Sequence, residues 1–302
     1  TYSGTTTISE GTVAVTGNNN LGSASSGTVV APGAALQITN TSYTTAEALA
    51  INGNGVGGTG AMVNSGSSSY AGQITAATDA SINVGGGTLA LTGGVVKDGT
   101  TLTVKGGGTM SVSNVGISGA SPNSDLVIDG TTVVTNVAST YNGPTTVQNG
   151  GTLVANNPTG SATGTGTVTI DSTSTLSGTG TVDAGAGNYI YVNGALMVGD
   201  STLMSPVASS LTLMTNGGST VLGAGSTLSF DLFSGAGLGD NTALASAADF
   251  IRLFGVLDPT AGGTIVLSNP NNMNSWAYGD SWRLFDLTSG PGSITTSLRI
   301  DY

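Results

Sequence analysis

The sequence predicts an all-β fold, a parallel β-helix or β-solenoid in which short strands coil through stacked turns, and three observations predict it. The first is duplication. Tyr2-Ser3-Gly4-Thr5-Thr6-Thr7-Ile8 followed by Gly11-Thr12-Val13-Ala14-Val15 returns as Tyr141-Asn142-Gly143-Pro144-Thr145-Thr146-Val147 followed by Gly150-Gly151-Thr152-Leu153-Val154-Ala155. Self-similarity of this kind marks a repeat architecture, whose units bury their apolar faces only by stacking. The second is strict alternation of branched and polar residues, as in Ser81-Ile82-Asn83-Val84, Thr101-Leu102-Thr103-Val104 and Thr167-Val168-Thr169-Ile170, the mark of short strands with one buried face. The third is glycine ahead of most of these runs, at Gly87-Thr88-Leu89, Gly108-Thr109-Met110, Gly166-Thr167-Val168 and Gly180-Thr181-Val182, where a coiling chain needs corners.

Strand starts come at irregular intervals of roughly ten to twenty residues, which suits two or three strands per turn. A β-sandwich with regular turn spacing is the competing fold. The duplicated Tyr-x-Gly segments, the lack of an Asn-Gly hairpin series and the mutual similarity of the strands favour the solenoid.

Along the chain, Tyr70-Ala71-Gly72 leading to Ser81-Ile82-Asn83-Val84 and Gly87-Thr88-Leu89-Ala90-Leu91 reads as a third, looser copy. Residues 44–51 fit one helical turn or a strand, and the glycine-rich residues 53–60 read as a loop leaving the coil. The apolar residue of each Gly-Thr-Leu or Gly-Thr-Val unit is expected to point inward, so Leu153 and Val168 should be buried while Thr152 and Thr167 face out. We divide the chain into a repeat region, 1–225, and a β-rich C-terminal cap that continues the solenoid, 226–302. All five Phe and both Trp fall in the latter: Phe230, Phe233, Phe250, Phe254, Trp276, Trp282 and Phe285 are expected to close the core against water, with an aromatic carbohydrate-binding face as the alternative. Residues 244–248 fit a short helix or a loop entering the strand at Asp249-Phe250-Ile251-Arg252-Leu253. Arg252 and Arg283 are both expected in strands.

Composition narrows the function. Only 7% of the 302 residues are charged, whereas Gly numbers 50, so Ser, Thr and Asn must supply a neutral polar surface. At 38% hydrophobic the chain is too apolar for a disordered one. No run approaches the roughly 18 apolar residues of a membrane-spanning helix. A net charge of −11 with five cations is the reverse of a nucleic-acid-binding footprint. Without Cys or His the chain lacks disulfides, thiolate ligands and the usual general base. This composition fits an exported bacterial surface protein. Because Thr1 opens inside a repeat, the chain is expected to be a processed or partial product.

The segments Tyr141-x-Gly143-x-Thr145-Thr146-Val147, Gly151-Thr152-Leu153-Val154, Gly164-Thr165-Gly166-Thr167-Val168 and Ser174-Thr175-Leu176-Ser177-Gly178-Thr179-Gly180-Thr181-Val182 resemble the autotransporter-associated β-strand repeat of bacterial passenger regions. Tyr2 through Ile38 resembles the same unit. Residues 226–231, 249–251, 263–267 and 282–286 are similar to the segment that follows such repeats in large surface proteins. The resemblance covers about half of the chain. It implies a right-handed parallel β-helix on a Gram-negative-type cell surface. The outer-membrane barrel or sorting anchor that often ends the family is not in this sequence.

A search for chemistry by residue type finds little. A Ser-Lys pair would have to recruit Lys97 or Lys105, and both are expected to be solvated side chains flanking the strand at residues 101–104. Asp125, Asp129, Asp171 and Asp183 stand singly among turns, so a two-carboxylate glycosidase site would need a coincidence of turns. Asp98-Gly99, Asp129-Gly130 and Gly239-Asp240-Asn241 are turn chemistry, and the dense Asp-Gly repeat of calcium-binding β-rolls is missing. Threonine runs such as 163–167 suit an outward face by β-propensity alone. We therefore expect no catalytic, cofactor or metal residues. The expected role is an extracellular structural shaft that self-associates head to tail through terminal strands such as 297–302. An adhesin or glycan-binding region is the alternative, through residues 53–60 or the aromatic end, and a polysaccharide-active enzyme ranks last.

Overall fold

A computed structural model describes residues 2–199, 208–232, 248–268, 283–287, 293–294 and 299–300. Within them the chain is a parallel β-solenoid with three faces to the turn, and the one helical feature is a 3-10 turn at Val56–Gly58. In one turn Val95–Val96 lies on the first face, Leu102–Lys105 on the second and Thr109–Val112 on the third. The next turn repeats the plan with Ile117–Gly119, Leu126–Asp129 and Thr132–Thr135. Each strand pairs in parallel with its counterpart one turn on: Val95 with Ile117, Leu102 with Leu126, Thr109 with Thr132. The first two faces form a 20-stranded sheet and the third an 11-stranded one. Backbone groups are thereby satisfied turn to turn, as where Leu102 N–H donates to Asp125 O and Leu126 N–H to Pro144 O, both at 2.9 Å.

Alternation sets what lies inside. On the second face Leu36, Met62, Ile82, Val104, Ile128, Val147, Ile170, Val192 and Leu222 succeed one another in register, each fully buried. Burying each such side chain is worth about 1.5–3 kcal/mol against leaving it in water. The row holds one continuous core along the stack. Leu153 and Val168 are buried while Thr152 and Thr167 are half-exposed, the register read from the sequence.

A different inner row runs along the end of the third face. Tyr43, Tyr70, Leu91, Val112, Thr135, Ala155 and Gly178 stack in register, and the side chain shrinks from tyrosine to glycine along it. Tyr43 and Tyr70 stack with ring centroids 5.2 Å apart.

The two clearest sequence copies do not occupy the same face. Thr6–Ile8 belongs to the first face, paired with Thr28–Val30, whereas Thr145–Gln148 belongs to the second, paired with Leu126–Asp129. What the sequence duplicates is a corner with the strands around it. The unit fits at either position because each face presents the same pleated wall.

Of the ambiguous segment 44–51, Leu49–Gly53 forms a strand. Residues 53–60 make the expected excursion, which is tied down: Asn83 Nδ2 donates to Thr59 O at 2.7 Å and Lys105 Nζ to Gly58 O at 2.5 Å. Beyond residue 225 the described strands extend the same stacks, Thr227–Asp231 pairing with Thr264–Ser268 and Ser210–Leu222 with Phe250–Asp258. These residues do not display an aromatic cap. Phe230 is buried with Phe285 edge-on at 5.6 Å, but Phe250 and Phe254 fall on the half-exposed phase of their strand. Arg252 lies in that strand, whereas Arg283 sits before the short strand Phe285–Asp286. Expectations for Phe233, Trp276, Trp282 and residues 239–241, 244–247, 295–298 and 301–302 lie outside the described residues.

Candidate functional site

Polar chemistry gathers at the corners between faces, where a tyrosine is followed four residues later by an acceptor. Tyr2 OH lies 2.5 Å from Thr6 Oγ1, and Tyr141 OH lies 2.6 Å from Thr145 Oγ1. The same spacing recurs at Tyr43, whose OH donates to Glu47 Oε2 at 2.9 Å. Glycine at the centre of the Tyr141 corner is required by close approach, because a Cβ on Gly143 would meet Ser124 O at 2.1 Å.

Glu47 is the most enclosed carboxylate here, with no exposed surface. Thr28 Oγ1 donates to its Oε1 at 2.6 Å, Tyr43 to its Oε2, and Tyr70 OH donates to its backbone carbonyl at 2.8 Å. Burial and the adjacent carboxylate push both phenols far above the ordinary tyrosine range. The network binds successive turns together and leaves no open face for a substrate. The sequence reading passed over Glu47; the signal was the Tyr-x-x-x-acceptor spacing shared with Tyr2 and Tyr141.

Lys97 corrects an expectation. Rather than solvated, it is fully buried, its Nζ donating to Ser124 O and lying 3.6 Å from the centroid of the Tyr141 ring. The reason is Gly119, which occupies the intervening turn between Lys97 and Tyr141. With no side chain there, the ammonium reaches across two turns to an aromatic face. A Cβ on Gly119 would meet Lys97 O and Ser124 Oγ, both at 2.7 Å. Burial pushes the Lys97 ammonium down to about 7, against the opposing pull of Asp125. Burial also raises the Tyr141 phenol to about 12. Lys105, the other lysine, is half-exposed and held on Gly58 O.

The remaining carboxylates serve turns. At Asp171 burial opposes the charge, but donors from Asn149 N–H and from the N–H and hydroxyl of Thr173 outweigh it and hold the acid at about 2. Asp129 Oδ1 accepts from Asn149 Nδ2 at 2.6 Å, and Asp183 Oδ1 from Gly185 N–H at 2.9 Å. Asp98 accepts from Ser121 N–H at 2.7 Å. Burial pushes Asp249 up to about 6, against N–H donors from Ser209 and Asp231. Among the described residues no group of three or more His, Cys, Asp or Glu could hold a metal ion, and no helix is long and apolar enough to cross a membrane. Asn149 ties Asp129 to Asp171, and Lys97 meets Tyr141 within the electrostatic reach of Asp125. The full burial of Lys97 and Tyr141 makes their contact a structural pin.

The outer surface has a different character. On the second face Thr103, Val127, Thr146, Thr169, Tyr191 and Val221 form an outward row in register. No protein family matches the chain, and no curated protein or solved structure matches it.

Proposed function

We propose that the chain is a structural element of a bacterial cell surface, a stiff β-solenoid shaft without catalytic function. The observation that carries this reading is the unbroken core: the same inner rows run from turn to turn, so bending the stack would open many backbone hydrogen bonds at once. Glu47 and Lys97, the two buried groups with the most evident chemistry, are consumed in ties between turns. The surface location draws support from the composition and from the resemblance to autotransporter-associated repeats. Negative-stain imaging of the purified chain tests the shaft directly. At about 4.8 Å per turn the 11-stranded stack makes a rod on the order of 50 Å long, and rounded particles would contradict it.

Self-association belongs to the same proposal. Among the described residues Thr6–Ile8 and Gly11–Val15 each pair on one side alone, and such edges accept further strands. Sedimentation velocity across a concentration series distinguishes rods that polymerise from rods that stay single. A second reading, recognition of glycans, is favoured by the uncharged, hydroxyl-bearing outer row of the second face.

A further inference from the structure

We propose that Tyr189 and Tyr191 form a stacking platform for an uncharged saccharide chain. This deepens the glycan-binding reading and does not depend on the shaft. The two rings stand side by side, centroids 5.6 Å apart and planes within 16° of each other. They remain 40% and 36% exposed, whereas Tyr43, Tyr70 and Tyr141 have no exposed surface. Neither phenol hydroxyl of the pair has a protein partner among the described residues.

Alternation explains why they face out. Ile190 and Val192 take the buried phase, so Tyr189 and Tyr191 take the outer one. An exposed aromatic pair on a rigid wall leaves each ring with one face turned from its partner, apolar in its body and polar at its tip. A pyranose has the matching character, with C–H groups on its faces and hydroxyls around its rim.

The surroundings select an uncharged ligand. Tyr191 stands in register between Thr169 and Val221, and Thr167 Oγ1 donates to Asn188 Oδ1 beside Tyr189. Thr169, Thr167 and Asn188 carry hydrogen-bonding groups and Val221 an apolar one, and none of the four is charged. Four of the five cations are spent elsewhere: Lys97 is buried, Lys105 is held on Gly58, and Arg252 and Arg283 flank Asp286. With a net charge of −11 the chain repels acidic polymers at long range.

The test is titration calorimetry of the whole chain with cello-, xylo-, manno- and chito-hexaose, and with an oligogalacturonate as the charged counterpart. At least one neutral oligomer should bind, and the oligogalacturonate should bind more weakly. The double variant Tyr189→Ala/Tyr191→Ala should weaken that binding roughly tenfold or more while its circular dichroism and melting temperature stay those of the parent. Tyr2→Ala, which removes another exposed tyrosine, should leave the affinity unchanged. If the double variant is folded and binds as the parent does, the platform is overturned while glycan binding elsewhere stands. If no neutral oligomer binds the parent, both readings fall.

Discussion

Lys97 Nζ lies 3.6 Å from the centroid of the Tyr141 ring, although a full turn of the solenoid, represented by Gly119, separates their strands. A desolvated cation over an aromatic face is worth about 2 kcal/mol, less than it costs to bury an ammonium with few partners. The pair therefore fixes register more than it adds stability.

That imbalance has a pH signature. With the Lys97 pKa lowered to about 7 in the folded chain and near 10.4 when unfolded, the unfolded state binds more protons between those values, so the penalty is full below pH 7 and is relieved as pH rises toward 10. Lys97→Met lacks this dependence. Its stability relative to the parent should fall by a few kcal/mol between pH 6.5 and pH 10, read from urea melts of both proteins. A pH-independent difference would contradict the buried ammonium.

Leu153 and Thr152 are neighbours with opposite fates. Leu153→Asp places an unpaired charge in the core and should cost several kcal/mol, enough to unfold a marginal chain, while Thr152→Asp on the outer phase should change stability by about 0.5 kcal/mol or less. Thermal melts of the two variants check the register.

The Glu47 network should behave as one unit. Glu47→Ala strands the hydroxyls of Thr28 and Tyr43 in the core, at about 1–3 kcal/mol for each group left unpaired. Glu47→Gln keeps the shape of the side chain and one of its two acceptors and should cost less. Chemical denaturation ranks the two.

Two glycines contrast a steric demand with none. A Cβ at Gly164 would meet Tyr141 O at 1.6 Å, while one at Gly107 would meet nothing within 4 Å. Gly164→Ala should lower the melting temperature sharply, and Gly107→Ala should leave it nearly unchanged.

Proteinase K provides a global check. Residues 141–182 lie in the tightly paired part of the stack and should survive digestion under native conditions. Their early loss, followed by mass spectrometry, would mean that the ladder opens locally.

Much of this was legible in the sequence, because a solenoid writes its burial as alternation: Ile82, Val104 and Val168 declare their side of the sheet one residue at a time. What was illegible came from contacts between turns. Lys97 reads as a solvated residue at a strand end, since nothing near it in sequence reveals that Gly119 vacates the next turn or that Tyr141 waits beyond. Phe250 and Phe254 illustrate the opposite error. Their apolar character suggested burial, but Ile251, Leu253 and Leu257 hold the inner phase of that strand, and period two allows both sets no place inside.

The shrinking row from Tyr43 to Gly178 gives the core an address system. A row of similar aliphatics, like that from Leu36 to Leu222, would accept a strand that skipped a turn and paired with the wrong neighbour. In the graded row the same mistake sets an aromatic ring against a space shaped for a smaller side chain and hollows the position it left, and both overpacking and voids are costly. From Tyr43 to Gly178, size thus marks position along the stack. A chain written in near-identical phrases can thereby thread that stretch in one order, with one end of it distinguishable from the other.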